Sequence, residues 1–96
     1  MTDQIIIKPG PVKIGELKAG EIQQFADGSW MLGCPRCGLA LHIKDWKVVI
    51  KDNKVTVTPS IMHEPNGCHF IITDGKVQYC GEQGKITLSP DGNLII

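Results

Sequence analysis

Gly67-Cys68-His69-Phe70-Ile71-Ile72-Thr73-Asp74-Gly75-Lys76-Val77-Gln78-Tyr79-Cys80 reads as a β-hairpin with a cysteine near each end. β-Branched and aromatic residues flank Asp74-Gly75, a pair that supplies the positive backbone angles a tight strand reversal needs. The register decides which side chains meet. A three-residue loop, Thr73-Asp74-Gly75, pairs Ile72 with Lys76 and sets Cys68 opposite Cys80. A two-residue turn pairs Ile72 with Val77 and Phe70 with Tyr79, and sets His69 opposite Cys80. A slip of one residue exchanges the faces of a strand, so the sequence leaves both registers open.

Working outward, the same punctuation recurs. Ala26-Asp27-Gly28 lies between residues 21–25 and 29–32, and Asp52-Asn53 separates 46–51 from the alternating Val55-Thr56-Val57-Thr58 within 54–58. Pro90-Asp91-Gly92-Asn93 turns 85–88 back onto the apolar 94–96. Residues 4–8 read as another strand, ended by Lys8-Pro9-Gly10-Pro11. Two proline-containing loops remain, at 34–38 and 59–67. The one helix-like window, 15–25, is broken by Gly20 and lacks three-to-four-residue apolar spacing. With eleven Gly and six Pro in 96 residues, the expectation is an all-β chain of antiparallel hairpins, a single domain over residues 1–96.

A domain this short buries a modest core, and five aromatic residues, Phe25, Trp30, Trp46, Phe70 and Tyr79, are available to fill it. A cross-link would help. Gly33-Cys34-Pro35-Arg36-Cys37-Gly38 offers one: two thiolates three positions apart in a glycine-flanked turn form half of a tetrahedral zinc site. The other two ligands come from Cys68, Cys80, His69, His63 and His42. The expected set is Cys34, Cys37, Cys68 and Cys80, with His69 in place of Cys68 if the two-residue turn holds. Such a site resembles a zinc ribbon, and its metal contributes on the order of 10 kcal/mol to folding. His63, in the polar loop, and His42, on a strand, read as ordinary solvated or half-buried residues. Arg36, at the tip of the turn, is placed to offset the charge of a cysteine-zinc centre and is the first candidate for contact with a partner.

Ten basic residues balance ten acidic ones, which removes the simplest electrostatic case for nucleic acid or anionic membrane. No apolar run approaches the roughly 20 residues that span a bilayer, and no basic region followed by an apolar stretch opens the chain, so the expected location is the cytoplasm. A reducing compartment favours metal over disulfides for the four cysteines. Lys44, Lys47, Lys51 and Lys54 around Trp46 could form a single-strand-binding strip, but Asp45 and Asp52 interrupt it, and the lysines read as the solvated face of a hairpin with Trp46 packed in the core. A redox reading of Cys34-Pro35-Arg36-Cys37 lacks the strand-to-helix context that activates such a thiol. A zinc hydrolase with Glu64 as base is disfavoured because four thiolates leave no position for a metal-bound water.

The assembled pattern resembles a family of small bacterial and phage proteins catalogued as a domain of unknown function. The residues that carry the resemblance are Cys34-Pro35-Arg36-Cys37-Gly38, Trp46, Pro59-Ser60, Gly67-Cys68-His69-Phe70, Gly75 and Tyr79-Cys80, in that order over residues 30–80. The chain departs from the family's pattern in a knuckle one residue wider and in the missing serine before His69. The resemblance implies zinc binding by the cysteines, a mainly β fold and genomic company with phage or ubiquitin-like modification genes. The expected function is therefore non-catalytic: a zinc-stabilised protein acting through contact with another protein, as a bacterial accessory or phage counter-defence factor, with strand pairing between two copies as one route to a homodimer.

Overall fold

The computed structural model describes residues 3–10 and 17–87. Among these residues, eight strands form two four-stranded sheets. The first sheet has the order β1 (Ile6–Ile7), β2 (Glu21–Gln24), β3 (Trp30–Gly33), β4 (Ala40–Ile43). The second runs β5 (Lys47–Lys51), β6 (Lys54–His63), β7 (Cys68–Thr73), β8 (Lys76–Tyr79). All neighbouring strands are antiparallel except β1 and β2. The one helical element among the described residues is a single 3-10 turn, Glu64–Asn66. The all-β expectation holds, and 17–25 carries no helix.

Three expected hairpins form where turn chemistry placed them. Asp52 and Asn53 take φ of 53° and 62°, and Asp74 and Gly75 take 50° and 75°, the left-handed pairs that match the twist of a two-residue reversal. The Asp74-Gly75 turn sets Ile72 opposite Val77 and Phe70 opposite Tyr79. This is the two-residue register, and it puts phenyl against phenol at 6.2 Å between ring centres.

Three expectations need correction. The segment 59–67 is not all loop, because β6 runs through Pro59 to His63. Two extra residues bulge out between Val57, which faces Ile72, and Ile61, which faces Phe70, so Pro59 sits where no β7 partner needs its N–H. Residues 85–87 form no strand, since the Thr87 N–H and hydroxyl turn to the Asn66 carboxamide at 2.8 and 3.3 Å. The expected strand at 4–8 shrinks to Ile6–Ile7 beside β2. Its lead-in pairs with the other sheet, through Ile5 N–H to Gly75 O at 2.7 Å and a Gln4–Lys76 bridge. The turn at 90–93 and the strand at 94–96 lie outside the described residues.

The core gathers inward-facing residues of both sheets: Ile22, Leu32, Ile43, Val55, Val57, Ile61, Phe70 and Ile72 are fully or almost fully buried. Cys34, Cys37 and Cys68 join the same cluster. Alternation along β6 and β7 therefore sends Ile61 and His63, with Cys68 and Phe70, inward. Ser60, Met62 and His69 are left on the outward face.

Candidate functional site

The turn after β3 folds as the glycine spacing requires. Gly38 takes φ +83°, its N–H donates to Cys34 O at 2.9 Å, and Cys34 N–H donates to Leu39 O at 2.8 Å. Gly33 admits no side chain, because a Cβ there would lie 2.0 Å from the Lys18 carbonyl oxygen. Cys34 and Cys37 are thereby buried side by side, facing the end of the β6–β7 pair where His63 stands opposite Cys68. One ligand atom from each of Cys34, Cys37, His63 and Cys68 lies within 4.8 Å of the other three, and all four residues are buried. Cys37 Sγ is 3.6 Å from His63 Nδ1. Bonds of about 2.3 Å to a tetrahedral ion put sulfurs about 3.8 Å apart, so this group is sized to hold one metal ion.

The electrostatics suit that use. Burial pushes the Cys34 thiol up to about 12, partly opposed by the amides of Cys37 and Arg36 that face its sulfur. Burial likewise raises Cys68, against the Arg36 guanidinium. At Cys37 burial also acts upward, but the Asn66 side chain, the Leu39 amide and the neighbouring thiols outweigh it and hold the group below its ordinary value. Burial lowers His63 and keeps its imidazole neutral, the form that binds metal. Amides directed at sulfur and a neutral imidazole are what a thiolate-rich centre requires, so the residues fit a metal. Arg36 is half-buried rather than fully solvated: Nη1 lies 3.1 Å from Asn66 O and 3.5 Å from Cys68 Sγ, and Nη2 donates to Gly84 O. It is placed to offset the charge of metal-bound thiolates, and it ties segment 80–87 to the Cys34–Cys37 turn.

The structure brings three of the four expected ligands together, with His63 beside them. Cys80 is placed elsewhere, at the end of β8, where its N–H donates to His69 O at 2.9 Å and its Sγ faces Gln78 O at 3.9 Å. The two-residue turn sets it opposite His69 rather than Cys68. His63 is among the candidates in the sequence but not in the expected set, because a strand ending at residue 58 leaves it in a polar loop; the signal for it is a histidine and a cysteine flanking a tight turn that ends in Gly67, whose φ is +61°.

On the outward face of the same strands, His69 Nε2 lies 3.3 Å from Ser60 Oγ. Met62 faces His69 directly, so Ser60 is its diagonal neighbour across the ladder. The bulge presents Ser60 to solvent, and the Trp46 indole N–H donates to Ser60 O at 3.1 Å. Trp46 is half-buried against the core, while Lys44, Lys47, Lys51 and Lys54 are exposed. A second serine–histidine contact, Ser29 Oγ to His42 Nε2 at 3.0 Å, lies on the first sheet. There the hydroxyl donates to Asp27 Oδ1 at 2.7 Å, and this bond leads the causes that lower the Asp27 carboxyl. With its proton committed to a carboxylate, Ser29 is not activated by its histidine. Ser60 has no such carboxylate partner among the described residues, so its hydroxyl can donate to Nε2 when that nitrogen is unprotonated.

Residues 11–80 match the sequence model of a family described as "Bacterial ubiquitination-like system serine protease (BubE)". No curated protein and no solved structure matches the chain. The description overturns the non-catalytic expectation: a serine protease is an enzyme, and the chain carries an exposed serine within reach of a histidine. Sequence reasoning missed Ser60 as a nucleophile because no local motif marks it: Pro59-Ser60 stands only in the family resemblance, and His69 stands there and as an alternative metal ligand, so neither Ser60 nor His69 is read as catalytic from the sequence.

Proposed function

We propose that this chain, which belongs to the BubE family, is a serine protease in which Ser60 is the nucleophile and His69 the general base. The single observation that carries the reading is the 3.3 Å approach of His69 Nε2 to Ser60 Oγ on an open sheet face. That separation sits at the long end for a resting pair, which tightens as substrate excludes water. Ser60 Oγ attacks the carbonyl carbon of an amide while its proton passes to Nε2. The tetrahedral adduct collapses, the C–N bond breaks, and Nε2 returns the proton to the leaving amine. Water then attacks the acyl-serine by the same route, and the proton goes back to Ser60. Because the family description ties its members to a bacterial ubiquitination-like system, the partner we propose is a protein substrate belonging to such a system.

Zinc is the metal that the donor set favours, with Cys34, Cys37, His63 and Cys68 as ligands. Four protein ligands close the coordination sphere, so the ion supplies structural support and no Lewis-acid chemistry. It would hold the end of the strand pair whose other face carries Ser60 and His69.

A fluorophosphonate probe, which phosphonylates activated serines as Oγ attacks phosphorus and fluoride leaves, tests the reading. Folded, metal-loaded protein is expected to take up one label, on Ser60. Ser60→Ala abolishes labelling, His69→Ala slows it at least a hundredfold, and Ser29→Ala leaves it unchanged. Absence of labelling in the metal-loaded parent protein overturns the proposal.

A further inference from the structure

In an antiparallel ladder alternate opposed pairs exchange both of their main-chain hydrogen bonds, and His69 with Cys80 falls in the same parity as Thr73 with Lys76 beside the turn. At His69 and Cys80 only one of the two is direct: Cys80 N–H donates to His69 O at 2.9 Å. The other is relayed through a side chain. His69 N–H donates to Gln83 Oε1 at 2.8 Å, and Gln83 Nε2 donates to Cys80 O at 3.1 Å. The same Nε2 also donates to His69 O at 2.9 Å. One carboxamide is thus inserted into the ladder just past the end of β8, and it binds both main-chain groups of His69.

The local chain is shaped for this. Gly81 takes φ +59° and turns residues 82–84 back toward β7, and Gly84 then seats against Gly67, with its N–H donating to Gly67 O at 2.9 Å. A Cβ at Gly84 would stand 2.9 Å from Gly67 Cα, so the close approach that delivers Gln83 depends on a bare backbone. The last pair of a ladder is where fraying begins, and His69 occupies that place. Gln83 lies beyond the matched residues 11–80.

We infer that Gln83 is a positioning residue: its carboxamide fixes the main chain of His69 and so aims the imidazole at Ser60. The inference rests on the protease reading above. A displacement of about 1 Å in a reacting pair costs on the order of a hundredfold in rate, so a partial loosening of one strand end should be readily measured.

The test compares Gln83→Met, which keeps the length of the side chain and removes its hydrogen bonding, with Gln83→Glu, which keeps an acceptor for His69 N–H and loses the donors. Each is prepared with metal bound, its metal content and thermal midpoint are measured, and the rate of Ser60 labelling is followed against probe concentration. Gln83→Met is expected to lower the maximal labelling rate at least tenfold with half-saturation changed less than twofold, and Gln83→Glu to fall between it and the parent. A parental maximal rate in metal-loaded Gln83→Met overturns the inference. If Gln83→Met does not fold, Gln83→Glu decides alone: a threefold or greater loss of maximal rate supports the positioning role and a parental rate overturns it. Failure of the parent protein to label at all would instead remove the protease reading, so the two failures are distinguishable.

Discussion

His63 and His69 leave one strand pair in opposite directions, the first pointing inward among Cys34, Cys37 and Cys68, the second outward to Ser60. The two faces share a backbone: Cys68 is next to His69 in sequence, and Met62, opposite His69, is next to His63. Loss of order at either face must reach the other through one peptide unit.

Removing the metal should therefore silence the serine. Cys68→Ser is expected to lose bound zinc and cooperative unfolding, and Ser60 labelling should fall with them. Cys80→Ser, outside the four-residue group, should keep about one zinc per chain. Metal analysis alongside labelling checks both; zinc lost from Cys80→Ser would return that residue to the ligand set.

Stability should fall on both sides of neutrality in metal-free protein, for different groups. Burial holds His63 below its ordinary value, so folding disfavours its protonated form. Its contribution is complete above about pH 6.5, the unfolded value, and is lost as pH drops through that value toward the lower folded one. Cys34 works the other way. With its thiol pushed up to about 12 from 9.0, the folded state disfavours thiolate, and stability declines as pH rises beyond 9.0 toward 12. In the zinc form the thiols are already deprotonated, so the alkaline loss should vanish while the acid loss remains, protons competing with metal. Thermal midpoints of both forms at pH 5, 7 and 9.5, values set about the ordinary pKa of each group, will show whether only the alkaline limb responds to zinc.

Gly67→Ala meets two obstacles at once, a backbone at φ +61° and a Cβ 2.8 Å from Gly84 Cα. A destabilisation of about 1–3 kcal/mol is expected from the overpacking. Because Gly84 adjoins Gln83, the labelling rate should fall as well. Denaturant titration gives the first quantity; a variant as stable as the parent would show that segment 80–87 packs differently.

Trp46→Phe keeps a ring against the core and removes the N–H that holds Ser60 O at 3.1 Å. The expected cost is at most about 1 kcal/mol, the net worth of one such bond, with a larger proportional effect on labelling because the bond lies on the nucleophile itself. Unchanged labelling would exclude Trp46 from shaping the bulge.

The hairpins were legible because Asp52-Asn53 and Asp74-Gly75 are local signals, readable without the rest of the chain. The Cys34–Cys37 half-site was legible for the same reason. What the sequence hid was set at longer range. The choice between registers at Asp74-Gly75 went to the one that packs Phe70 on Tyr79 and Ile72 on Val77, an energy shared over several pairs rather than written at the turn. His63 and Ser60 depend on a strand that continues past Pro59 through a bulge, and a proline in a polar stretch ordinarily argues for a loop. Ser60 and His69 are nine positions apart and on no shared helical or strand period until the turn Glu64–Asn66 folds β7 back on β6.

The opposed arrangement of His63 with Cys68, set against Ser60 with His69, carries one more consequence. Side chains on a strand alternate with strict parity, so a mispairing of β6 and β7 by a single step turns one strand's set over. A chain folded in that way would present an incomplete ligand set to the ion and a divided pair to the substrate. On the proposed reading, metal capture would thereby act as proofreading, admitting to activity only those molecules whose strands have met in step.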